Sequence, residues 1–198
     1  MANKGLLLVT MEPSANMEDE FNDWYDTEHF PQRRALPGFE SGSRWVCLEG
    51  WPRWLAIYDL ASLAVLQTPE YLAVSGGNGT PWSKRVLPRT IGRQRVIAEQ
   101  LAPGNAVLAD SAGIARMLVL RYPQGNPRGA AALQQVWATQ AGCVSARVFG
   151  DAAGAVWLLA AFAGQIALAD LALLINTGPF DAGAGAADLV NLYMAYKR

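Results

Sequence analysis

A chain of 198 residues with 52 % hydrophobic content is long enough to bury a substantial core, as one large domain or two small ones. Its formal net charge of −1, with no long basic or acidic run, carries no electrostatic footprint of a nucleic-acid binder, so small neutral or weakly ionic ligands are the expected partners. Neither a leader nor a membrane span is expected: the apolar run in MANKGLLLV is too short, and VWLLAAFAGQIALADLALLI at 156–175 is interrupted by Gln165 and Asp170 below the roughly 20 residues a bilayer requires. Cys47 and Cys143 stand in no metal or redox spacing and read as reduced, buried thiols, which places the chain in the cytoplasm.

In chain order, the pattern predicts a strand near 4–11 and a helix near 16–30. Asn16 can cap that helix with Asp19 three residues on, and Glu18, Asp19 and Glu20 put negative charge where the helix dipole favours it. Pro31 disfavours helical geometry at Phe30, which sets the expected helix end. Strands near 42–49 and 53–60, a helix near 61–74 and a strand near 86–100 follow, with SGGNGTPWSKRVLP at 75–88 read as a loop. The Gly/Pro/Ala-rich segment LAPGNAVLADSAG at 101–113 joins this half, residues 1–102, to a second, residues 103–198. There the strands are expected near 115–122, 143–150, 154–163 and 188–197, and the helices near 127–140 and 166–175.

The two halves echo each other. KGLLLVTMEP returns as ARMLVLRYPQ at 115–124, and PGFESGSRWVCLEGWPRWLAIYDL as AGCVSARVFGDAAGAVWLLAAFAG. The shared order βαββαβ is that of the ferredoxin-like split motif. A half-solvated sheet would alternate apolar and polar residues, yet LLLV, RWLAIYDL, MLVL and VWLLAAFA are nearly continuous apolar runs, so both faces need cover. The expected fold is therefore α+β: two ferredoxin-like halves whose antiparallel sheets pack face to face as an intrachain α+β barrel, helices outside.

The first helix holds the chain's single histidine, His29. Met17, Phe21, Trp24 and Glu28 fall on one stripe; Phe21, Tyr25 and His29 follow at four-residue steps on the next. An imidazole here could act as a general acid or base with a carboxylate holding its tautomer, or could simply terminate the helix through a carbonyl. The run EDEFNDWYDTEHFPQRRALPGFESGSRW resembles the signature of the EthD-like branch of the dimeric α+β barrel superfamily, in which a W-Y-x-x-E-H-x-P helix end precedes a P-G-F turn. The matching positions are Trp24, Tyr25, Glu28, His29, Pro31, Pro37, Gly38 and Phe39, within roughly residues 4–100.

The resemblance implies subunits paired sheet to sheet, a cleft between sheet and helices that takes small organic molecules, and a histidine at the cleft mouth. Superfamily members include muconolactone isomerases, cofactor-free monooxygenases of aromatic polyketides, stress-responsive proteins without known chemistry, and barrels that hold haem through one histidine. On this basis His29 and Glu28 are the candidate catalytic residues, and Trp24, Tyr25, Arg33, Arg44 and Trp82 the candidate substrate contacts. The second half departs from the pattern: it has no histidine, its helix NPRGAAALQQVWATQAG has no carboxylate, and it holds 11 of the chain's 33 charged side chains. It reads as a degenerate duplicate supplying the other barrel wall, with Trp137 in its core.

Arg89, Arg93 and Arg95 share one parity of the strand after the loop, a row that more often protects a sheet edge than binds a ligand. GGNG lacks the strand–loop–helix context of a phosphate loop, and one histidine without paired cysteines builds no usual zinc site, so no metal, nucleotide or other cofactor is expected, haem standing only by analogy with the barrels that hold it through one histidine. Two functional readings stand. One is a cofactor-independent enzyme, of isomerase, lyase or monooxygenase type, acting on a hydrophobic carbonyl compound or lactone. The other is a noncatalytic hydrophobic-ligand-binding or stress-responsive accessory protein. A homodimer is compatible with both.

Overall fold

A computed structural model describes residues 3–108, 111–177 and 186–196. Eight strands, β1 (Gly5–Pro13), β2 (Phe39–Glu49), β3 (Trp54–Leu60), β4 (Thr90–Ala102), β5 (Arg116–Tyr122), β6 (Cys143–Asp151), β7 (Val156–Phe162) and β8 (Leu189–Ala195), close into one antiparallel barrel. The order around it is β1-β3-β2-β8-β5-β7-β6-β4. The first four strands thus lie as β4-β1-β3-β2 and the last four as β8-β5-β7-β6, the same arrangement twice. Two seams join them: β2 pairs with β8 from Trp45↔Ala195 to Glu49↔Leu192, and β4 with β6 from Ala98↔Asp151 to Ala102↔Val148. Closure leaves few free edges. Residues 90–97 of β4 pair only with β1, and Arg93 on that stretch is exposed, as edge protection requires.

Strand parity explains the unalternating sequences. Leu6, Leu8, Trp45, Leu55, Ile57, Val96 and Ala98 meet Met117, Val119, Phe149, Trp157, Leu159 and Tyr193 inside the barrel. The opposite parity packs under helices: Leu7, Met11, Ala56, Tyr58 and Leu60 in the first half, Leu118, Leu120, Val148, Leu158 and Ala160 in the second. Every residue of β3 and β7 is buried, because each strand has a covered face on both sides. One ion pair crosses the interior. Arg147 Nη1 donates to Asp59 Oδ1, while Asp59 Oδ2 accepts from Ser41 Oγ at 2.6 Å and from the Leu108 amide at 3.0 Å, so one carboxylate ties β3, β2, β6 and the inter-half connection together.

The helices differ from expectation in four places. The first does not stop before Pro31; it runs as α1 (Glu18–Trp24), one π turn (Tyr25–His29) and α2 (Phe30–Arg34). Asn16 lies in a 3₁₀ turn rather than capping, and Met17 at the cap position offers no side-chain bond. The stretch 61–74 is a 3₁₀ turn followed by the short α3 (Pro69–Leu72), since Pro69 with the Thr68 cap restarts the helix. The supposed loop 75–88 contains α4 (Pro81–Val86), where Thr80 accepts from the Ser83 amide and Pro81 occupies the first turn, so β4 begins at Thr90 instead of near 86. In the second half, α5 (Ala130–Ala138) and α6 (Leu168–Thr177) lie close to their expected positions; the expected end of the last strand, residue 197, lies outside the described residues. Cys47 and Cys143 are free thiols but only half-buried. Among the described residues no helix is long and apolar enough to cross a membrane.

Candidate functional site

The π turn places the histidine. Proline has no N–H to donate four residues back, and its ring crowds the carbonyl there; widening the preceding turn relieves both problems without ending the helix. The Phe30 amide accordingly bonds to the Tyr25 carbonyl, five residues back. In an α-helix, residues five apart point about 140° away from each other. Here they meet: the His29 ring stacks on Trp24, with centroids 4.4 Å apart and planes at 29°, while Tyr25 stands edge-on at 5.2 Å. The expected Phe21–Tyr25–His29 stripe exists, and the π turn adds the Trp24 contact to it.

His29 is half-buried, its Nδ1 fully buried without a hydrogen-bond partner among the described residues. Burial, then the cations of Arg33 and Arg44, pull its pKa from 6.5 to about 3. The imidazole is therefore neutral in the folded chain at neutral pH. The sign of the linkage follows: between pH 6.5 and about 3 the unfolded chain binds a proton at this position that the folded chain does not, so acidification destabilises the fold. Across that window the group contributes a slope of at most about 1.4 kcal/mol per pH unit. The thermal midpoint of the wild type is expected to fall more steeply than that of His29→Asn below pH 6.5, and in parallel with it above pH 7. Identical profiles throughout would show that the imidazole is not held neutral.

Around the ring lies an aromatic and cationic cluster. Arg44, on β2, donates to Asp26 Oδ1 and to Asn22 Oδ1 at 2.7 Å, and its guanidinium sits between the rings of Tyr25 (4.3 Å) and Tyr196 (4.4 Å). Tyr196 in turn donates to Asp26 Oδ2 at 3.1 Å. Arg33, one turn beyond His29, donates through Nη2 to the Val74 carbonyl at 2.8 Å and lies 5.2 Å over the Tyr71 ring. Tyr58 on β3 stands beside Tyr25; burial raises the pKa of both phenols, so both stay protonated. The gap bordered by Met11, Tyr25, Arg44 and Trp54 is too small for a water molecule.

The segment after Val74 covers this cluster. Thr80 Oγ1 donates to Glu28 Oε1 at 2.5 Å, and Trp24 Nε1 donates to Ser83 Oγ at 3.1 Å. A cleft of about 200 Å³ opens among Gly76, Gly79, Ser83, Lys84, Leu87 and Pro88. Of the seven candidate residues, Trp24, Tyr25, His29, Arg33 and Arg44 are brought together by contact or charge. Glu28 points to the covering segment and holds Thr80. Trp82 lies farther along the helix, where its Nε1 donates to Glu20 at 3.1 Å beside the Arg85–Glu20 ion pair. Tyr58, Tyr71 and Ser83 escaped the sequence reading. Tyr58 is the one phenol in the apolar run WLAIYDL, a signal available there; Tyr71 and Ser83 arrive by long-range packing and have none.

The closed barrel with outer helices has the fold of the dimeric α+β barrel proteins. It superposes on an anthrone oxidase-like protein with a TM-score of 0.66 at 10 % identity, covering 100 % of this chain and 92 % of that one. A candidate monooxygenase from Lactobacillus acidophilus gives 0.58 at 7 % identity (98 % and 93 % covered), and a heme-binding protein from Thermus thermophilus 0.59 at 10 % (100 % and 92 %). No family model and no curated protein matches the chain. The residues here do not fit haem. The only imidazole in the chain has one face covered by Trp24 and its Nδ1 buried, and the guanidinium groups of Arg33 and Arg44 add positive charge around it.

Proposed function

We propose that the chain is a small-molecule enzyme of the EthD-like kind, built from two ferredoxin-like halves, with its working cleft between the first-half sheet and the helix of His29, closed in the empty protein and opened by movement of the segment after Val74. The observation that carries the reading is the buried, unpartnered Nδ1 of a neutral imidazole. A nitrogen with no partner among the described residues is open to a proton from a bound molecule, and a bound anion offsetting the Arg33 and Arg44 charges would raise its proton affinity above the low value of the empty protein. The nearby guanidinium groups would stabilise the negative charge left on the enolate oxygen, and the proton taken up by the imidazole would be returned to a carbon of the enolate or exchanged with solvent. The substrate class is a hydrophobic carbonyl compound or lactone with an acidic C–H; Trp24, Tyr25 and Tyr58 supply apolar walls. The names borne by the structural neighbours, oxidase-like and monooxygenase, support small-molecule chemistry as a class.

Proton transfer can be tested before the natural substrate is known. Wild-type protein in D₂O is expected to accelerate deuterium uptake at the α-carbon of enolisable probes such as 2-tetralone, followed by NMR. His29→Gln is expected to return the rate to the buffer background while keeping the circular dichroism spectrum. A His29→Gln protein as active as wild type would remove His29 from the chemistry. The binding-protein reading draws on one observation, the closed packing over the helix; a copurifying ligand identified by mass spectrometry, with no probe turned over, would favour it.

A further inference from the structure

Three arginines are buried among the described residues: Arg33, Arg44 and Arg147. Two have a carboxylate, Asp26 for Arg44 and Asp59 for Arg147. Arg33 is 7 % exposed and has none among the described residues. Its Nη2 is satisfied by the Val74 carbonyl and its face by Tyr71, but Nη1 is buried with no acceptor. The surroundings add positive charge: Arg95 donates to the Tyr71 hydroxyl at 2.9 Å, and Glu28, five residues earlier in the chain, is engaged by Thr80. A cation withdrawn from water without a counter-charge is unfavourable, and such a group persists where something outside the fold supplies the charge.

We propose that Arg33 anchors a flat, apolar carboxylate, which makes the ligand of this cleft an organic monoanion. The proposal rests on the helix–sheet cleft being the working site and adds the chemistry of what enters it. One carboxylate oxygen would accept from Nη1. The apolar body would lie along the rings of the cluster, toward another unsatisfied atom, His29 Nδ1, four residues earlier on the same helix face. The way in is the covering segment. Side-chain bonds fasten it to the helix, Arg33 to Val74, Thr80 to Glu28 and Trp24 to Ser83, with Trp82 and Arg85 on Glu20 beyond them, and between the first and second of these the chain passes Gly76 and Gly77, where an added Cβ would meet nothing. An arriving carboxylate competes for the guanidinium that holds Val74, so binding and opening use the same group.

The experiment is calorimetric titration of the full chain with 2-naphthoate and its neutral isostere 2-naphthamide, for wild type, Arg33→Lys and Arg33→Met. The wild type is expected to bind naphthoate at least tenfold more tightly than naphthamide, Arg33→Lys to keep part of that preference, and Arg33→Met to lose it. Because the charge lacks a partner in the empty protein, unliganded Arg33→Met is also expected to melt no lower than wild type. A purely structural arginine would instead lower the midpoint and leave the preference between probes unchanged. Equal or absent binding of the two probes by wild type, or discrimination retained in Arg33→Met, overturns the proposal. Deuterium uptake is read separately: naphthoate binding with no exchange activity removes the enzyme reading alone, and exchange without naphthoate preference removes the anion alone.

Discussion

Replacing Asp59 with alanine is expected to destabilise the barrel by about 3–5 kcal/mol, the usual consequence of removing one member of a buried ion pair. The pair is 1 % exposed on both sides, so the abandoned Arg147 cation would have no water to turn to. The Ser41 hydroxyl and the Leu108 amide would lose their acceptor at the same time. Against an ordinary domain stability of about 5–15 kcal/mol, this brings the fold close to collapse. The double variant Asp59→Leu/Arg147→Met is expected to recover most of the loss, because well-packed apolar side chains can replace a buried pair at little or no cost. Urea denaturation of the two single variants and the double variant measures the coupling. A double variant no better than Asp59→Ala would mean that the polar ties to Ser41 and Leu108, rather than the desolvated charge, hold this end of the barrel.

Trp137→Ala is expected to cost about 3–5 kcal/mol, as large aromatic truncations in cores do, while His29→Ala leaves the thermal midpoint within a few degrees. Trp137 is fully buried between α5 and the second-half sheet, in the cluster of Leu133, Leu158 and Phe162. Its Nε1 has no hydrogen-bond partner among the described residues, so Trp137→Phe is expected to cost much less than the alanine change: it keeps most of the ring and removes an unsatisfied donor. His29 is half-buried and its contacts are ring faces that water or a ligand can replace. Thermal midpoints of the three variants decide the matter. A His29→Ala protein that melts far below wild type would make the histidine a core residue, and a Trp137→Ala protein of normal stability would mean that the second half repacks freely.

The strands were legible because their signal is local. A run such as LLLV or VWLLAAFA states that both of its faces are buried, and the doubled strand order is visible as a weak repeat within the chain. The helix boundaries were less legible. Pro31 reads as a stop, since proline cannot extend a regular α-helix; a π turn evades the rule by changing the helix and not the proline. Thr80 and Pro81 signal a helix start that the glycines before them obscured.

Composition and pattern alone determined that this protein has an all-covered antiparallel sheet system, the approximate places of its strands, and one histidine behind a tryptophan and a tyrosine and just before a proline. Tertiary structure decided what those residues meet. It stacked the imidazole on Trp24, brought Tyr58 and Tyr71 to the helix from elsewhere in the chain, and gave Asp26 to Arg44 and Asp59 to Arg147 while leaving Arg33 without a carboxylate among the described residues. The reason is one of range: periodicity records whether a side chain is buried, because burial acts on each residue singly, whereas the partner of a charge is set by strand register and barrel closure across many residues of chain.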